Sequence, residues 1–141
     1  MRNPSFALVT GMLLALGAHA QNTETFKTRL APVAIDAAMK SIIAGTGSAT
    51  ATLAGTKFTV NGTFEGLKSN ATMAHIHQGT ALGVRGPKLL DLTVTKAMSG
   101  TLSGSFDLTP EQIESLKKGK WYVQIHSEKA PDGNLWGWLV P

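Results

Sequence analysis

The sequence predicts an all-β fold, an antiparallel β-sandwich or Greek-key-like barrel of about seven or eight strands with one short connector helix. Two observations carry that expectation. From Ser48 onward the chain divides into short segments in which apolar residues recur at every second position, separated by turn residues. Between two of those segments stands one short stretch with helix start and stop signals.

Thr25 to Leu30 is a candidate first strand. Ala31 to Gly47 is ambiguous: Ile35 to Ile43 is helix-capable and ends in Gly45-Thr46-Gly47, but Ala-rich sequence of that length is marginal without a packing surface. In the next segment Ala49, Ala51 and Leu53 face inward against Ser48, Thr50 and Thr52, and Gly55-Thr56 turns the chain into Lys57 to Phe64, a hairpin signal. Phe58, Val60, Gly62 and Phe64 then share one face. Strands follow over Thr72 to His77, over Lys88 to Thr95 with Leu90, Leu92 and Val94 on one face, and over Thr101 to Asp107 with Leu102, Gly104 and Phe106 on one face. Trp121 to His126 and Asn134 to Val140 complete the series.

The helix should run from Pro110 to Lys118. Thr109 can cap it, Pro110 suits its first position, Gln112 completes a capping box, and Gly119 suits the stop. Ile113 and Leu116 would pin one side to the sheet, leaving Glu111, Glu114, Lys117 and Lys118 in water. Gln78 to Pro87, with Gly79, Gly83, Gly86 and Pro87, should be a loop able to fold back over the strand before it.

That strand carries His75 and His77, and the Trp121 strand ends in His126. Alternation puts His75 and His77 on the same face, opposite Ala74 and Ile76. His126 shares its face with Tyr122 and Gln124, opposite the apolar Trp121, Val123 and Ile125. All three imidazoles therefore lie on the side away from the core, as candidate ligands for one metal ion. The order of strands is not readable from the sequence, and a shared site requires the His75 and His126 strands to be close.

At the start of the chain Arg2, the apolar run Phe6 to Gly17 and Ala18-His19-Ala20 have the form of a secretory signal peptide, too short to span a bilayer comfortably. The expected organisation is a signal over 1–20, an N-terminal segment over 21–44 and a β domain over 45–141. Cleavage after Ala20 would remove His19, so every histidine of the mature chain would belong to the proposed constellation. With no further long apolar segment, no membrane span is expected after signal removal, and the product would be periplasmic or secreted.

There is no cysteine, which excludes disulfides and thiolate chemistry. The chain has 13 Lys and Arg against 9 Asp and Glu, with no basic run and no aromatic-basic interleaving. Nucleic acid is thus not an expected partner. No serine lies in a nucleophile-elbow setting, and no acid pair stands out for glycoside chemistry.

Gly47-Ser48-Ala49-Thr50-Ala51-Thr52-Leu53, Gly62-Thr63-Phe64-Glu65-Gly66-Leu67 and Ala71-Thr72-Met73-Ala74-His75-Ile76-His77-Gln78-Gly79 with Gly86-Pro87 resemble the CHRD (chordin-type) domain family. Ser103-Gly104 leading to Leu108-Thr109 and Gln112, then Gly119 to His126, then Pro131-Asp132-Gly133 through Gly137 follow in the family's order. The resemblance covers Gly45 to Leu139 and implies an extracytoplasmic β domain, found in exported bacterial proteins and in chordin. The sequence departs from the family's usual ending at Trp136 and Trp138, which share a face and form either an interaction patch or a surface covered by the N-terminal segment.

A more distant likeness concerns the histidines. His75-Ile76-His77 in one strand and His126 near the end of another, followed by Glu128-Lys129-Ala130 and Asp132-Gly133, are similar to the copper-binding part of copper/zinc superoxide dismutases, where copper sits outside a β-barrel. No counterpart of the bridging histidine, the zinc-binding loop or the disulfide is present. Imidazole suits Cu(I), Cu(II) and Zn(II), and three ligands leave a position open; with no counterpart of the zinc-binding loop, copper is the expected ion. Met73 lies on the same face and would favour Cu(I), but packing beneath the Gln78 to Pro87 loop is its blander role. Asp91, Glu128 and Asp132 are carboxylates able to orient an imidazole, unranked by the sequence.

Two functions follow. The first is an exported copper-binding domain with His75, His77 and His126 as ligands, whose enzymatic form would be a superoxide dismutase-like oxidoreductase. The second is an extracytoplasmic protein-interaction module in which the histidines are incidental.

Overall fold

A computed structural model describes residues 21–141; the signal-peptide reading of 1–20 lies outside the described residues. Eight strands form a closed antiparallel barrel: β1 (Thr23–Pro32), β2 (Thr46–Ala54), β3 (Lys57–Glu65), β4 (Ala71–Gln78), β5 (Lys88–Val94), β6 (Gly100–Asp107), β7 (Trp121–Ser127) and β8 (Leu135–Trp138). Their order around the barrel is β1-β2-β3-β6-β5-β4-β7-β8, so the β3–β4 and β6–β7 connections each skip two strands, as in a Greek key. The candidate strand at Thr25 to Leu30 is real and longer than expected, and it closes the barrel by pairing with both β2 and β8.

The alternation sets the interior. Phe26, Leu30, Ala49, Ala51, Leu53, Phe58, Val60, Phe64, Ile76, Leu92, Leu102, Trp121, Val123, Ile125 and Leu135 form one buried cluster. At its centre the Phe58 and Trp121 rings meet edge to face with centroids 5.5 Å apart. The β2–β3 hairpin turns through Gly55-Thr56, where Gly55 takes φ 63° and Thr56 does not take a positive φ, the pattern of a type II′ turn. Among the described residues a single α-helix, α1 (Pro110–Lys117), carries β6 across to β7 with the expected capping box between Thr109 and Gln112. Leu116 is buried, and Ser115 Oγ accepts from Trp121 Nε1 at 3.0 Å, which ties the helix to the core.

Among the described residues no helix is long and apolar enough to cross a membrane. Ile35 to Ile43 does not form an α-helix. Only a 3-10 turn, Met39–Ser41, appears, and the segment instead packs Val33, Ile43, Met39 and Ile42 around Ala130 and Trp136. Asn134, fully buried, anchors it by donating from Nδ2 to Ala44 O at 2.8 Å and accepting from Ser127 Oγ at 2.9 Å. Trp136 is therefore covered in part by the N-terminal segment.

Candidate metal centre

The strand order brings the three histidines together, because β4 and β7 are direct neighbours. In their ladder Met73 faces His126, His75 faces Gln124, and His77 faces Tyr122. On the other side of β4, His75 faces Asp91 of β5. The outward face of these three strands thus holds one compact polar group, as the alternation requires.

That face is covered, as the expected fold-back of the Gln78 to Pro87 loop allows. Tyr122, Gln124 and His126 are all buried. Two loops cover them, and each supplies a carbonyl to a histidine. The Gly79–Pro87 loop folds back so that Gly86 O accepts from His77 Nδ1 at 3.0 Å, and the Tyr122 hydroxyl clamps the same peptide, accepting from Gly86 N and donating to Gly86 O, both at 3.1 Å. Position 86 tolerates only glycine: a Cβ there would stand 1.8 Å from Gln78 O. The Glu128–Gly133 turn places Pro131 O 2.8 Å from His126 Nδ1 and Asp132 O 2.9 Å from Gln124 Nε2.

A carbonyl oxygen only accepts, so both contacts fix a tautomer. In their neutral forms His77 and His126 each carry the proton on Nδ1 and present a bare Nε2. His77 Nε2 is buried and has no hydrogen-bond partner. His126 Nε2 lies 3.2 Å from His75 Nδ1, and His75 Nε2 lies 3.3 Å from Asp91 Oδ1, which also accepts from Lys88 Nζ at 2.9 Å.

His75 thus stands between two acceptors. Satisfying both with hydrogen bonds would need an imidazolium, but burial, and after it the neighbouring His126, pushes the His75 pKa below its ordinary value. Burial also lowers that of His77. A neutral His75 that donates Nε2–H to Asp91 leaves two nitrogen lone pairs facing each other. A cation between them resolves that conflict. Two nitrogens 3.2 Å apart, each about 2.1 Å from an ion, subtend about 100°, close to a tetrahedral angle. One nitrogen from each of His75, His77 and His126 lies within 4.8 Å of the others, so the three could hold a metal ion once the widest pair draws in by about 1 Å.

The comparisons with known proteins agree with the motif resemblance. The family model of the CHRD domain matches residues 16–139. The chain belongs to the CHRD domain family. The matched residues take in β1 and the segment after it as well as the motifs from Gly45 onward. No curated protein and no solved structure matches the chain.

Of the three carboxylates that the sequence left unranked, Asp91 is the one at an imidazole. Asp132 contributes its backbone carbonyl, to Gln124 rather than to a histidine. Met73 is not packed under the loop: it stands opposite His126 and is 48% exposed. Sequence reasoning passed over Tyr122, Gln124, Gly86 and the Pro131 carbonyl. The signal for the first two was their place on the His126 face. Tyr122 stacks on His77, with centroids 5.0 Å apart and planes 15° apart, and leads to Trp138 at 4.7 Å. Arg85, from the covering loop, places its guanidinium 4.6 Å over the Trp136 ring.

Proposed function

We propose that this CHRD-domain protein is an exported copper-binding protein, periplasmic or secreted, whose ligands are His75 Nδ1, His77 Nε2 and His126 Nε2. The observation that carries the reading is the pair of nitrogens on His75 and His126, 3.2 Å apart, with the outer nitrogens of both rings already engaged by Asp91 and Pro131. The buried, unpartnered Nε2 of His77 supports it, since such an atom is costly unless something binds it. The all-imidazole donor set with an open position fits copper as it fits zinc, and the likeness of the histidine pattern to the copper-binding part of superoxide dismutases selects copper; carbonyls and a carboxylate orient each ring from behind. The signal-like pattern over 1–20 and the extracytoplasmic setting of the family support export.

Storage or transfer of copper is the role this site suits best; superoxide turnover is its redox alternative. Titration of the untagged mature domain with Cu(I) and Cu(II), beside a His75→Ala/His77→Ala/His126→Ala variant, tests the reading. Stoichiometric binding that the variant loses supports a copper site and opens the assay of superoxide turnover. Equal, weak binding by both defeats it. In that event the exposed Leu82 and Val84 at the tip of the covering loop favour the second reading, an extracytoplasmic protein partner.

A further inference from the structure

Met73 is the exposed residue of the His75 strand, on its outward face. It is 48% exposed, directly opposite His126 in the β4–β7 ladder and two positions from His75 on the same face. Facing pairs in an antiparallel ladder have Cβ atoms about 4.5–5.5 Å apart, and the unbranched methionine side chain has three torsions with which to reach a neighbour's ring. Gly86 and Tyr122 close the site over His77 and the Pro131 turn holds His126 from behind, while Met73 stands beside the His75–His126 pair on the same face.

We propose that the Met73 thioether is a further ligand to the histidine site, receiving Cu(I) at its exposed end and making the site selective for Cu(I) over Zn(II). The inference rests on the reading of His75, His77 and His126 as ligands and adds a specificity-determining residue to it. A soft thioether bonds well to Cu(I) and poorly to Zn(II), for which the three imidazoles suffice. Met73 therefore contributes to one ion and leaves the other unchanged.

The experiment compares the wild-type domain with Met73→Leu and with Met98→Leu, a control at another exposed methionine, 53% exposed on the β5–β6 connection. Cu(I) affinity is measured without oxygen by competition with a chromophoric chelator, Zn(II) affinity by calorimetry, and the copper environment by X-ray absorption. The expected result is Cu(I) affinity lower by about tenfold in Met73→Leu, unchanged Zn(II) affinity, and a sulfur neighbour at about 2.3 Å that only this variant loses. Unchanged Cu(I) affinity with no sulfur neighbour, while the triple histidine variant loses metal, overturns the role of Met73 and leaves the histidine site standing. Metal binding indifferent to the triple variant overturns both.

Discussion

His75 Nδ1 lies 3.2 Å from His126 Nε2 although 51 residues separate the two in the chain. The contact exists because β4 and β7 are neighbours in the barrel and because Pro131 O and Asp91 hold the far nitrogens of the two rings. Between the rings the two inner nitrogens converge.

Acid should weaken the metal-free domain at those rings. His75 and His77 have folded pKa values lowered by burial below the ordinary 6.5, so between the folded and unfolded values the unfolded chain binds more protons. Stability is therefore complete above 6.5 and falls as the pH drops through 6.5 toward the lowered values. Thermal melts from pH 7.5 down to 5 should show that decline, and the triple alanine variant should show less of it.

Removing the carboxylate behind His75 should weaken the site without touching a ligand. In Asp91→Ala the His75 Nε2–H loses its acceptor and the ring its orientation, so metal affinity should fall by about tenfold while the fold is kept. Titration together with circular dichroism checks both halves. Retained affinity would show that Asp91 only pairs with Lys88.

The covering loop depends on one glycine. In Gly86→Ala the new Cβ would collide with Gln78 O, so the loop must lift and release both His77 Nδ1 and the Tyr122 hydroxyl. Metal affinity should drop by about 10–100-fold, with about 1–3 kcal/mol of stability lost. Faster hydrogen exchange over Gly79 to Pro87 would report the lifted loop.

Asn134 should be the most sensitive polar residue outside the site. Asn134→Ala strands the Ser127 hydroxyl and Ala44 O, and with them the anchor of the segment that covers Trp136. A loss of about 1–3 kcal/mol and a red-shifted tryptophan emission are expected in denaturant melts and fluorescence.

Alternation made the fold class, the inward residues and the common face of the three histidines legible, because a pleated strand leaves no freedom over which side a residue takes. It did not reveal that β4 and β7 pair, since that adjacency is set by two crossover connections whose lengths say nothing of their destinations. The Gly- and Pro-rich stretch from Gln78 to Pro87 did mark a loop able to fold back over the histidine strand, but not which atoms it would bring to the rings. The roof consists of backbone carbonyls at Gly86 and Pro131, and any residue type supplies a carbonyl; only Gly86 itself, and the Pro131-Asp132-Gly133 turn, marked where the chain bends back. The segment from Ala31 to Gly47 was illegible for a related reason. Its conformation is decided by Asn134 and Trp136, about ninety residues away.

The most direct test of the central claim is the nitrogen-15 spectrum of the histidine rings during titration with one equivalent of Cu(I), which is diamagnetic. The account predicts that His75 Nδ1, His77 Nε2 and His126 Nε2 shift together and saturate at one equivalent, while the other nitrogen of each ring keeps its proton. Rings that stay unmoved, or that shift through the nitrogens held by Asp91, Gly86 and Pro131, would contradict it.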